Sequence, residues 1–110
     1  MPIWGDGTVE RDFLHVSDVA QAFLAAIAAE TPPNTVNIGS GQAVSLKTVL
    51  AETENAIGRK IAVAYDPGRI VDVKRNVLDT QRASETLGWS AKIKLSDGLS
   101  RTAEWWKQVS

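Results

Sequence analysis

The chain has 110 residues, 12 basic against 13 acidic, a net charge of -1 and no cysteine. This length implies one domain able to bury roughly 65% of its unfolded surface, and the lack of cysteine removes disulfide frameworks, thiolate metal sites and thiol nucleophiles. The basic residues, among them Arg59-Lys60, Lys74-Arg75 and Lys107, form no phosphate-tracking stripe, which argues against nucleic acid, and the longest apolar run, Ala22 to Ala29, falls far short of the roughly 20 residues a bilayer requires.

Gly5-Asp6-Gly7 is a turn signal, and a strand is expected from about Val9 to Val16. In such a strand Val9, Arg11, Phe13 and His15 share one face and Glu10, Asp12, Leu14 and Val16 the other, so a charge interrupts both faces. Local rule-breaking of this kind often marks function. Ser17 is a good N-cap and Asp18 suits the positive end of a helix whose Val19, Ala20, Phe23, Leu24 and Ile27 line one side. Thr31-Pro32-Pro33 stops it.

A short strand is expected over Thr35 to Ile38, then a tight Gly39 to Gly41 loop that brings backbone close to another group. Ser45 caps a second helix with Leu46, Val49, Leu50, Thr53 and Ile57 at helical spacing, and Gly58 stands where a left-handed C-terminal cap belongs. Ile61 to Tyr65 alternates as a strand does, and Asp66-Pro67-Gly68 turns the chain, leaving Arg69 and Asp72 in a loop. Asp79 caps a short helix ending at Leu87-Gly88, and Ser96 caps a final helix carrying Leu99, Ala103 and Trp106. No repeat, linker or low-complexity stretch divides residues 1–110, and one small mixed α/β unit is expected.

Four blocks in order resemble one family. Gly5-Asp6-Gly7 through Arg11-Asp12-Phe13-Leu14-His15-Val16 to Asp18-Val19-Ala20 is similar to the G-D-G-x-x-x-R-D-[FY]-[IVL]-[HY]-V-x-D-V-A block of the extended short-chain dehydrogenase/reductases, the group of NAD-dependent nucleotide-sugar epimerases and dehydratases. Val36-Asn37-Ile38-Gly39-Ser40-Gly41 with Ser45, the loop Arg69-Ile70-Val71-Asp72, and the run from Asp79 through Leu87-Gly88-Trp89 to Gly98-Leu99 and Trp105-Trp106 resemble its later blocks. The resemblance runs from about Ile3 to Trp106 and implies the C-terminal, substrate-binding domain of a protein roughly three times longer, without its Rossmann half. Pro2 to Gly7 reads as the interior of the family pattern joined abruptly to Met1, so a truncated gene or an engineered boundary is expected.

The family's cofactor turn, G-x-x-G-x-x-G, and its catalytic Tyr-x-x-x-Lys pair have no counterpart here. Gly39-Ser40-Gly41 lacks a third glycine and opens no helix after a first strand. The only tyrosine, Tyr65, is followed four positions on by Arg69 in a Pro-Gly turn. No catalysis and no bound cofactor are therefore expected from this chain, although the full-length family uses NAD.

Arg11 and Arg69 are the binding candidates, because a planar guanidinium offers two parallel hydrogen bonds to adjacent phosphate oxygens. The resemblance implies that both approach the diphosphate of a nucleotide sugar and that Asp72 accepts hydrogen bonds from the ribose. The competing reading pairs Arg11 with Glu10, Asp12 or Asp18 in a structural network and leaves Arg69 solvated. His15, the one histidine, has no partners at triad or metal-ligand geometry, since strand neighbours project to opposite faces. It reads as a partly buried histidine bonded near the helix start. Trp89 and one of Trp105 and Trp106 read as core anchors, with the other at a surface or interface, because adjacent helical residues point about 100° apart.

Two functional classes follow: the nucleotide-sugar-binding part of an epimerase/dehydratase, not catalytic alone, or a stand-alone interaction module of that ancestry. Expected partners are a nucleotide-diphosphate sugar and either a second copy or a separate dinucleotide-binding domain, in the cytoplasm.

Overall fold

The computed structural model describes residues 2–4, 6–66 and 74–109. Among the described residues, four helices and two small sheets make up a mixed α/β arrangement: strands β1 (Pro2–Trp4), β2 (Glu10–Arg11), β3 (Val44–Ser45), β4 (Ala64–Asp66) and β5 (Arg75–Asn76), and helices α1 (Val16–Ala28), α2 (Leu46–Ile57), α3 (Gln81–Leu87) and α4 (Leu95–Val109). β1 pairs in parallel with β4, Ile3 opposite Tyr65. β2 is the centre of the other sheet, antiparallel to β3 and parallel to β5, with Glu10 opposite Ser45 on one side and Arg75 on the other.

The helix boundaries follow local chemistry. Ser45 caps α2 as expected, its hydroxyl accepting from the Thr48 amide at 3.2 Å. The next orphan amides at this end, on Leu46 and Lys47, donate to the carbonyls of Val9 and Gly7. Gly58 ends the helix at φ 76°, and Gly88 ends α3 at φ 62°. Three caps differ by a residue or two. His15, not Ser17, is the N-cap of α1, its Nδ1 accepting from the Ser17 amide at 3.1 Å. Thr80 is the N-cap of α3, while the Asp79 carboxylate accepts from the Gln81 amide. α4 begins at Leu95, ahead of Ser96, because the Lys94 carbonyl already accepts the Gly98 amide.

Three strand expectations are corrected. The strand over Val9 to Val16 reduces to Glu10–Arg11, the strand over Ile61 to Tyr65 is found at Ala64–Asp66, and Thr35 to Ile38 forms no strand. A ladder needs a neighbour, and among the described residues none pairs with Asp12–His15 or with Thr35–Ile38. Val36 and Ile38 nevertheless pack on the core.

That core is thin. Among the described residues only Ala22, Ala83 and Trp89 are buried apolar side chains, with Leu14, Ala25, Leu87 and Ala91 around them. Small residues on α1 and α3 let those helices approach, and the Trp89 indole fills the space between. Neither Trp105 nor Trp106 joins this core, contrary to expectation, and their rings tilt at 48° to each other near the exposed end of α4. The accessible surface is 7995 Å², against about 6,000 Å² for a folded monomer of this mass. Burial therefore falls well below the 65% that length alone implies. The shape agrees, a slab 49 × 39 × 18 Å with a radius of gyration of 16.3 Å, where a compact chain of this length has about 13 Å.

Candidate functional site

The Arg11-Asp12 pair stands where β2 gives way to the lead-in of α1, and the two residues have different jobs. Asp12 is a hub. Its carboxylate accepts the amides of Ser40 (2.7 Å), Gly41 (3.1 Å) and Leu78 (3.3 Å), so one side chain ties together segments 28 and 66 residues away. Partial burial opposes its ionisation, but the Ser40, Gly41 and Leu78 donors together outweigh that cost and hold the carboxyl below its ordinary 3.8. The close approach expected at Gly39 is to this carboxylate: a Cβ on Gly39 would lie 2.7 Å from Asp12 Oδ2 and 3.0 Å from Leu78 Cδ1. Only glycine fits.

This geometry decides what the glycine loop does. A phosphate-binding loop turns its amides toward an anion, whereas here the Ser40 and Gly41 amides are already donated to a carboxylate of the same chain. The loop does not fit a dinucleotide pyrophosphate.

Asp18 repeats the device from within the first turn of α1. Its carboxylate, buried in the first turn, accepts the amides of Lys92 and Ile93 at 3.0–3.2 Å, while its carbonyl takes the Trp89 indole N–H at 2.9 Å. The segment between α3 and α4 is thereby fixed against α1. Sequence reasoning read Asp18 as a helix-dipole residue and missed this role, for which a carboxylate on the helix side opposite Phe23 and Ile27 was the available signal.

Arg11 donates through Nη1 to the carbonyl of Glu10 at 2.8 Å. The Glu10 carboxylate also pairs with Arg75 at 3.1 Å across β2 and β5. Arg69 and Asp72 lie outside the described residues. His15, capping α1 as its acceptor nitrogen, also lies against Gly98, whose added Cβ would meet the ring at 3.1 Å. Among the described residues no group of three or more acidic or histidine side chains is placed to hold a metal ion, and no helix is long and apolar enough to cross a membrane.

Comparison with known proteins agrees with this architecture. A family profile described as the NAD dependent epimerase/dehydratase family matches residues 1–39. The UDP-glucose 4-epimerase of Mycolicibacterium smegmatis is 32% identical over 98% of this chain and 34% of its own length, and a putative UDP-glucose 4-epimerase of Methanocaldococcus jannaschii is 38% identical over 96% and 33%. Among solved structures, MoeE5 in complex with UDP-glucuronic acid and NAD superposes with a TM-score of 0.88 at 35% identity, covering all of this chain and 37% of that one. The UDP-glucose 4-epimerase of Thermotoga maritima with UDP-glucose gives 0.88 at 34% identity, covering 98% and 35%. The chain thus spans about a third of the length of the relatives it matches. Sequence blocks and fold together place it in the NAD-dependent epimerase/dehydratase family, as a stretch of that architecture.

Proposed function

We propose that this chain is the C-terminal, nucleotide-sugar-binding part of an epimerase/dehydratase, a single unit over residues 1–110 that does no chemistry alone and works in the cytoplasm. Arg11 and Arg69 bind the substrate diphosphate, and Asp72 accepts hydrogen bonds from the ribose. The observation that carries this reading is the parallel pairing of β5 with β2. It returns the chain, two residues after Asp72, to the strand that bears Arg11, with the Lys74 carbonyl accepting the Glu10 amide at 2.7 Å. Relatives at 35% and 34% identity have been solved with UDP-glucuronic acid and UDP-glucose, so the ligand class matches the chemistry of a two-arginine clamp.

A clamp without the rest of its pocket loses preorganisation, which lowers affinity. UDP and dTDP are expected to bind in the millimolar range, about -4 kcal/mol. Arg11→Ala and Arg69→Ala should each abolish binding. An NMR titration checks this: shifts that are absent, or that survive unchanged in both variants, count against the clamp.

A further inference from the structure

The Asp12 carboxylate occupies a place in the β2–β5 ladder that a main-chain carbonyl would ordinarily fill. Parallel pairing sets Glu10 opposite Arg75 and Arg11 opposite Asn76, and the Glu10 amide donates to the Lys74 carbonyl at 2.7 Å. Rungs of a parallel ladder are evenly spaced, so the amide of Leu78, two residues past Asn76, belongs on the carbonyl of Asp12. It donates to the Asp12 carboxylate, at 3.3 Å. The side chain thus carries the ladder one rung beyond Arg11 while the backbone is already turning toward α1 at Val16.

Arg11 is therefore held on both flanks. Before it, the Glu10 carboxylate pairs with Arg75 at 3.1 Å across the same two strands. After it, the Asp12 carboxylate takes the Ser40 and Gly41 amides at 2.7 and 3.1 Å in addition to that of Leu78. Gly39 closes the carboxylate in, since a Cβ there would lie 2.7 Å from Oδ2. β2 ends at Arg11 after two residues, shorter than the roughly 3–10 of an ordinary strand, so main-chain pairing alone leaves the direction of Arg11 loosely set. All of these contacts lie within the chain, and none depends on what covers its outer faces.

We propose that Asp12 is the positioning residue for Arg11: it fixes the backbone from which the guanidinium reaches a diphosphate, and does not itself bind the ligand. This rests on the proposed role of Arg11 in substrate binding. A guanidinium exploits its two parallel hydrogen bonds only when its plane is set in advance. Loss of the carboxylate rung therefore acts on the preference for two adjacent phosphates over one, an effect distinct from its effect on stability.

NMR titration of the 110-residue chain with UDP and, separately, with UMP tests the inference. The ratio of the two affinities is unmoved by partial unfolding, because a reduced folded population weakens both ligands equally. The wild type is expected to prefer UDP by about tenfold, the worth of one charge-assisted hydrogen bond. Asp12→Asn should bring that ratio to within about twofold of unity. Gly39→Ala, which keeps Asp12 but drives a methyl into its carboxylate, should do the same. Gly58→Ala strains only the left-handed cap at the end of α2 remote from β3, and should keep the wild-type ratio. A wild type without the preference, or Arg11→Ala retaining it, overturns the clamp and this inference together. A preference that needs Arg11 but survives in Asp12→Asn or in Gly39→Ala overturns this inference alone. So does its loss in Gly58→Ala, or the failure of both Asp12→Asn and Gly39→Ala to fold, which would make the carboxylate a requirement of the fold.

Discussion

Asp12 shows how one side chain substitutes for a piece of secondary structure. Its two oxygens take three amides from two distant segments, in a region where the chain has only a two-residue strand to hold it. Replacing it by Asn turns one acceptor into a donor facing those amides. Asp12→Asn is expected to cost about 2 kcal/mol of stability, the range for orphaning partly buried donors, measured as a lower urea midpoint. The pH dependence has a definite sign. Because the folded state holds the carboxyl below 3.8, its contribution is complete above that value and is lost as pH falls through the lower folded one. Wild-type stability should therefore drop below pH 3.8 more steeply than that of Asp12→Asn, and an unchanged acid limb in the variant would show that the carboxylate carries no linkage.

Among elements, the helices were the legible part. Ser45 and Gly58 bracket α2 as read, because cap chemistry acts within three or four residues and needs no tertiary context. Gly58 is also a clean probe, since nothing lies within 4 Å of the site of an added Cβ. Gly58→Ala should lower stability by about 1 kcal/mol through the left-handed backbone alone, a loss visible in thermal denaturation. A loss much above that would mean that the side of α2 is more crowded than its open surroundings indicate. The strands were less legible. Glu10–Arg11 and Arg75–Asn76 exist because β2 has neighbours on both sides, while Thr35–Ile38, equally strand-like in composition, has none among the described residues.

At the scale of the whole molecule, an 18 Å slab with three buried apolar side chains among its described residues holds together through polar staples as much as through a core. Asp18 fastens the Trp89–Ile93 segment, and Asp12 fastens Gly39–Gly41 and Leu78. The same staples occupy the amides of the glycine loop. With the Ser40 and Gly41 amides already given to Asp12, calorimetry with NAD on the isolated chain should show no micromolar binding, and no epimerase or dehydratase turnover should accompany it. Micromolar heats would mean that a dinucleotide displaces the Asp12 carboxylate from the loop.

The family, the mixed α/β class and the helix pattern were readable from the sequence, because block order and cap residues are local properties. The roles of Asp12 and Asp18 were not readable, since each acts on amides 28 to 75 positions away and a carboxylate in a list of residues does not say which backbone it will meet. The sequence also shows that Phe23, Leu24 and Ile27 share a side of α1, but not whether that side is covered. Periodicity defines a stripe without defining its direction. Only the tertiary structure turned it outward, because Asp18 and Ala22 occupy the inner face, where the Trp89 indole and the Lys92 and Ile93 amides need a carboxylate and a small neighbour.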